Sequence, residues 1–89
     1  MTWTFEFDEA KSRANEAKHG IDFVAAQRIW LDEDMLCLAA RTVDEPRYLC
    51  IGVIGDKHWS AIVTNGGESV RIISVRRSRP KEVEAYEGA

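Results

Sequence analysis

The chain has 89 residues, 45% of them apolar and 30% charged, which describes one small domain, residues 1–89, able to bury a core, and excludes a disordered tail. No apolar run approaches the roughly 18 residues that cross a bilayer, and Met1 to Phe7 is too short and too acidic for a signal peptide, so the cytosol is the expected compartment. The net charge of −3 counts against a dedicated nucleic-acid binder. The charge is segregated, however. Arg71, Arg76, Arg77, Arg79 and Lys81 occur with no acid among them, whereas acids gather at Glu6 to Glu9, at Asp32 to Asp34 and after Lys81.

Thr2 to Phe7 alternates, with Trp3, Phe5 and Phe7 on one side, and predicts a half-buried strand. Asp8 is the expected N-cap of a helix over Glu9 to His19, whose apolar stripe is Ala10, Ala14 and Ala17 and whose polar flank is Lys11, Asn15 and Lys18. Gly20 follows as the residue free to take the left-handed conformation. Asp22 caps a second helix with Phe23, Ala26 and Trp30 facing the core, and Asp32 to Asp34 ends it. Four strands follow, at Met35–Ala40, Arg47–Ile54, His58–Thr64 and Ser69–Arg77. Gly55-Asp56-Lys57 and Asn65-Gly66-Gly67 are the expected hairpin connections. Pro80 opens a last helix reaching Tyr86, entered through Ser78 or Arg79. The order β-α-α-β-β-β-β-α predicts an α+β fold with a mainly antiparallel sheet, parallel only where the first strand rejoins it.

The strand from Val70 to Arg77 carries the most chemistry. Strict alternation puts Arg71 and Arg76 on opposite faces, able to reach one site only if twist or a bulge re-aims one; each lies beside apolar neighbours, so both need an anionic partner. That partner is either phosphate, gripped in a bidentate way, or an internal carboxylate such as Glu45, Asp32 or Glu82. Lys18-His19 at a helix end has the ingredients for proton transfer near neutral pH, or serves as a simple cap. Trp3 and Trp30 fall on expected core faces; Trp59 is open between packing and base stacking. Cys37 and Cys50 fall on neighbouring expected strands, make no zinc pattern, and read as buried thiols in a reducing compartment. His19 and His58 complete no metal set, so neither a metal nor a cofactor is expected.

Several short motifs occur in a telling order: Phe5-Glu6-Phe7-Asp8, then Lys11, Asn15 and Lys18-His19-Gly20-Ile21, then Phe23, Ala26, Trp30 and Asp32. Glu45-Pro46-Arg47-Tyr48 with Ile51-Gly52 follows, then Thr64, Val70 to Arg76, Glu82 and Tyr86. From about Phe5 to Tyr86 the chain resembles BrnT-type toxins. That resemblance implies a RelE-like fold, metal-independent ribonuclease activity on an RNA substrate, and a BrnA-like antitoxin partner through which alone operator DNA is contacted. It implies His19 as general acid or base, Arg71 and Arg76 as stabilisers of charge on phosphorus, Lys18 and Arg77 as RNA contacts, and Glu45 and Arg47 as orienting groups. One position departs from the pattern: Gly66 stands where the family usually carries an arginine. By the usual worth of one stabilising donor its loss costs on the order of 10²–10³ in rate. The alternative is therefore a weakened or inactive toxin-like domain that acts by binding its partner.

Overall fold

In this computed structural model, which describes residues 3–40, 45–66 and 68–89, the elements follow the expected order. They are β1 (Phe5–Glu6), α1 (Glu9–His19), α2 (Phe23–Ala26), β2 (Leu36–Ala40), β3 (Arg47–Ile54), β4 (Lys57–Gly66), β5 (Ser69–Arg77) and α3 (Pro80–Glu87). One five-stranded sheet runs in the order β1-β5-β4-β3-β2. β1 joins β5 in parallel and the other neighbours are antiparallel, so the α+β, mainly antiparallel architecture holds. Thr2 of the expected first strand and Gly67 of the second expected hairpin lie outside the described residues.

Local chemistry sets the helix limits. The Asp8 carboxylate accepts from the Lys11 N–H at 3.0 Å and starts α1, and Gly20 ends it at φ 81°, where a side chain is strained. Asp22 caps α2 by accepting from the Ala25 N–H at 2.8 Å. α2 then tightens into a 3₁₀ helix, Gln27–Leu31, which turns Phe23, Ala26 and Trp30 inward as expected and adds Ile29. These four pack on Cys50, Ala61, Val63, Ile72 and Val75. A Cβ at Gly52 would lie 2.8 Å from Ile29 Cγ2, so only glycine lets the 3₁₀ helix sit this close to β3.

The structure corrects the reading of α1. Ala10, Ala14 and Ala17 are exposed, while Ser12 and Asn15 are buried. The reason is an unmatched sheet edge: β1 pairs only with Val70 and Arg71, and the backbone of Val75 further along needs partners. Asn15 stands in for a strand. Its Nδ2 donates to the carbonyls of Val75 (2.8 Å) and Ile21 (2.9 Å), and its Oδ1 accepts from the Val75 N–H at 3.2 Å. Ser12 Oγ accepts from the Phe23 N–H at 2.9 Å. Alanine methyl groups would leave all of these backbone groups unpaired.

Three further expectations change. Trp3 is 45% exposed rather than core, because the first strand contracts to Phe5–Glu6 and ends short of it. Cys37 and Cys50 are not thiols but a disulfide; they stand directly opposite in the β2–β3 register, a pairing that brings the two sulfurs together. Arg71 and Arg76 do not occupy opposite faces. Ile62 pairs with Ser74 but Val63 with Ile72, leaving Ile73 as the extra residue of a bulge. One inserted residue inverts the alternation beyond it, so Ile72 and Val75 share the buried face under α2, and Arg71 and Arg76 share the other.

Candidate phosphate-binding face

That second face is organised as cross-strand rows. Arg47 of β3, Thr64 of β4, Arg71 of β5 and Glu6 of β1 form one row. Leu38, Leu49, Ile62 and Ser74 form the next, and Leu36, Ile51, Ser60 and Arg76 the third. α3 is pinned over the third row, through Ser60 and Arg76.

The pins account for several residues that looked chemical in the sequence. Arg76 donates from both terminal nitrogens to the two oxygens of Glu82, each at 2.8 Å. Glu82 Oε1 also accepts from the Ser60 hydroxyl and the Arg79 N–H, both at 2.9 Å. The Arg76 guanidinium, first among these donors, holds the Glu82 carboxyl down at about 2, and Glu82 in turn raises Arg76. With side chains only 21% and 14% exposed, the pair is a half-enclosed anchor, and the internal-carboxylate reading of Arg76 is the one realised. Tyr86 donates its hydroxyl to Asp32 Oδ2 at 2.6 Å, an oxygen that also accepts from the Val53 N–H at 2.8 Å. Burial pushes the Asp32 carboxyl up, but the hydrogen bonds from Tyr86, Val53 and Asp34 outweigh it and hold Asp32 below the usual carboxylate range. The same bond pushes Tyr86 up to about 12. His58 Nε2 meets Glu87 Oε1 at 2.9 Å at the end of the helix. Replacing Tyr86 by phenylalanine deletes a bond to a charged acceptor and is expected to cost about 1.5 kcal/mol, read as a lower thermal midpoint.

The remaining cations are less committed. Among the described residues Arg71 makes one polar contact, Nη1 to Glu6 Oε1 at 3.3 Å, with side chains 42% and 46% exposed. Arg47 is half-buried at the start of β3, next to exposed Glu45. Arg77 lies on the helix-covered face, its guanidinium carbon 5.5 Å from the Trp59 ring centre, which gives Trp59 a packing role as well as a cation to hold. Lys18 is exposed and His19 half-buried in the last turn of α1. Asn15 of α1 meets Val75, four residues along β5 from Arg71, and His19 is one further turn away. Strand and helix rises put His19 on the order of 15–20 Å from Arg71. The structure thus brings Arg47 and Arg71 together, ties Arg76 to Glu82, and sets Lys18 and His19 at the far end of β5.

Glu6 is the polar neighbour that sequence reasoning missed. Nothing in β1 alone specifies its register against β5, and only the parallel pairing of Glu6 with Arg71 exposes it. The motif residues therefore divide. Asn15, Gly20, Asp32, Gly52, Glu82 and Tyr86 are consumed by folding, whereas Lys18 is exposed, Arg71 is nearly half exposed and Arg47 is half-buried. No curated protein sequence matches the chain. The family model described as "Ribonuclease toxin, BrnT, of type II toxin-antitoxin system" matches residues 7–82, from the end of β1 to the first turn of α3. The chain accordingly belongs to the BrnT family of ribonuclease toxins of type II toxin–antitoxin systems.

Proposed function

We propose that this toxin is a cytoplasmic endoribonuclease that cleaves RNA without a metal ion, with Arg71 at the scissile phosphate, and that a BrnA-like antitoxin neutralises it. The observation that carries this is the row of Arg47, Thr64 and Arg71, where two half-exposed arginines flank the buried Thr64 on the sheet face opposite α1 and α2. A phosphate there receives charge-assisted hydrogen bonds that strengthen as negative charge builds on its oxygens. The ribose 2′-hydroxyl attacks the adjacent phosphorus, the P–O5′ bond breaks, and a 2′,3′-cyclic phosphate and a free 5′-hydroxyl result. Glu6, in contact with Arg71, accepts the 2′-hydroxyl proton; an acid or water returns one to the departing oxygen. Lys18, His19 and Arg77 belong to the other end of β5 and hold RNA backbone beyond the cleaved bond, with Glu45 orienting Arg47. The family resemblance supports a RelE-like arrangement within one domain, and contact with operator DNA only through the antitoxin.

A second reading, a toxin-like domain that only binds its partner, is favoured by Arg76, whose guanidinium is committed to Glu82, and by Gly66. Incubation of the purified protein with RNA in excess EDTA separates the two. Cleavage that persists in EDTA and ends in cyclic phosphates is the expected result. RNA left intact at high protein concentration would leave partner binding as the function.

A further inference from the structure

The exposed Trp3 has no place in the site above, yet it lines a cavity of about 330 Å³ together with Trp30 and Tyr48. That volume is at the low end of the roughly 300–1,000 Å³ of small-molecule sites, and its make-up is theirs too: apolar walls with a few polar groups. The polar groups of the β4–β5 hairpin that line it are Thr64, Asn65, Glu68 and Ser69. The aromatic side is fixed by packing. Trp30 is 8% exposed and stands edge-on to Phe5 with ring centres 5.0 Å apart. The Thr4 carbonyl accepts from the Val70 N–H at 2.8 Å and ties the Trp3 segment to the start of β5.

We infer that this cavity is a nucleobase subsite, one that takes a base bearing an exocyclic amino group from the RNA strand held at Arg71. Three aromatic rings offer the π-faces on which bases stack. The Glu68 carboxylate repels phosphate but accepts from an amino group on a base edge, as acidic side chains do from cytosine. The position fits as well. The Asn65–Val70 pair beside the cavity is the next pair along from Thr64–Arg71, and Thr64 itself lines the cavity. A strand of RNA passing over this end of the hairpin places a phosphate at Arg71 on one face and a neighbouring base in the cavity on the other. The inference rests on the ribonuclease reading for its substrate, but not for its measurement.

Trp3 and Trp30 report directly on the cavity, so titration of the protein's tryptophan fluorescence with cytidine, uridine, ribose 5-phosphate and choline tests it. Saturable quenching by cytidine is expected, about tenfold weaker with uridine, which lacks the amino group. Ribose 5-phosphate and choline are expected to give none. Trp3→Ala, checked for an unchanged circular dichroism spectrum, is expected to weaken cytidine binding about tenfold, within the ~1–3 kcal/mol of one stacked base. Trp3→Phe restores it, and Arg71→Ala leaves it unchanged. Absence of quenching by either nucleoside, equal affinity for the two, saturation by choline alone, or undiminished binding in Trp3→Ala each overturns the subsite. If RNA is cleaved while no nucleoside binds, the subsite fails and the ribonuclease stands; if cytidine binds and RNA stays intact in EDTA, the ribonuclease reading fails and the subsite stands.

Discussion

Replacing Arg71 by alanine is expected to slow RNA cleavage by about 10²–10³-fold, the usual loss when one preorganised donor to a developing anion is removed, and to leave stability within about 0.5 kcal/mol. The two halves of that expectation come from the same geometry. The contact of Arg71 with Glu6 is single among the described residues, 3.3 Å long and nearly half exposed on both sides, and such pairs contribute roughly 0–1 kcal/mol. Removing it costs the fold little and leaves Glu6 in water. A phosphate docked in the row loses one of two flanking guanidinium groups and the bidentate geometry that a fork of N–H donors supplies. Arg71→Lys keeps the charge without the fork, so it is expected to recover only part of the rate. Parallel thermal melts and timed digests of a labelled RNA check both halves. An Arg71→Ala protein that cleaves at the parent rate moves the site away from this row; one that melts many degrees lower makes Arg71 a structural residue, as Arg76 is.

Most of the architecture was legible from patterning. The caps at Asp8 and Asp22, the left-handed Gly20, the limits of β3 and β5 and the inward face of Phe23, Ala26 and Trp30 all follow from local rules, because each depends on near neighbours. What misled was long-range. The alanine stripe of α1 is a reasonable apolar face, but Asn15 can satisfy the free backbone at Val75, sixty residues away in sequence, and alanine cannot. Alternation along β5 placed Arg71 and Arg76 apart until the bulge at Ile73, visible only in the pairing with Ile62 and Val63, brought them to one face. The family pattern mixed residues needed for folding with residues available for chemistry. Hydrogen bonding among the described residues sorts them: Glu82 takes four donors, while Arg71 gives one hydrogen bond to one surface carboxylate.

Glu82→Ala is expected to be the most destabilising of these changes, by about 3 kcal/mol at neutral pH, because it leaves Arg76 as a largely enclosed cation without its partner. It also unpairs the Arg79 N–H at the start of α3 and takes one of two partners from the Ser60 hydroxyl, which keeps the Ser78 hydroxyl at 2.7 Å. The effect carries a pH signature with a definite sign. In the folded protein the Glu82 carboxyl sits at about 2 instead of its ordinary 4.5, so the folded state binds this proton less readily than the unfolded one. The stabilisation is complete above about pH 4.5 and is lost as pH falls toward 2, amounting to the order of 2–3 kcal/mol once the remaining solvent access is allowed for. The gap between parent and variant, from urea unfolding at a series of pH values, should therefore narrow through that window. A gap that is the same at pH 7 and pH 2.5 would show that Glu82 is not ionised against Arg76. The same variant separates two roles for Arg76. Released from Glu82, its guanidinium is available to RNA, so if Arg76 belonged to the catalytic set, cleavage per folded molecule would rise in Glu82→Ala and fall in Arg76→Ala. If it serves only to seat α3, Arg76→Ala and Glu82→Ala lower stability together, and neither changes the rate of the molecules that remain folded.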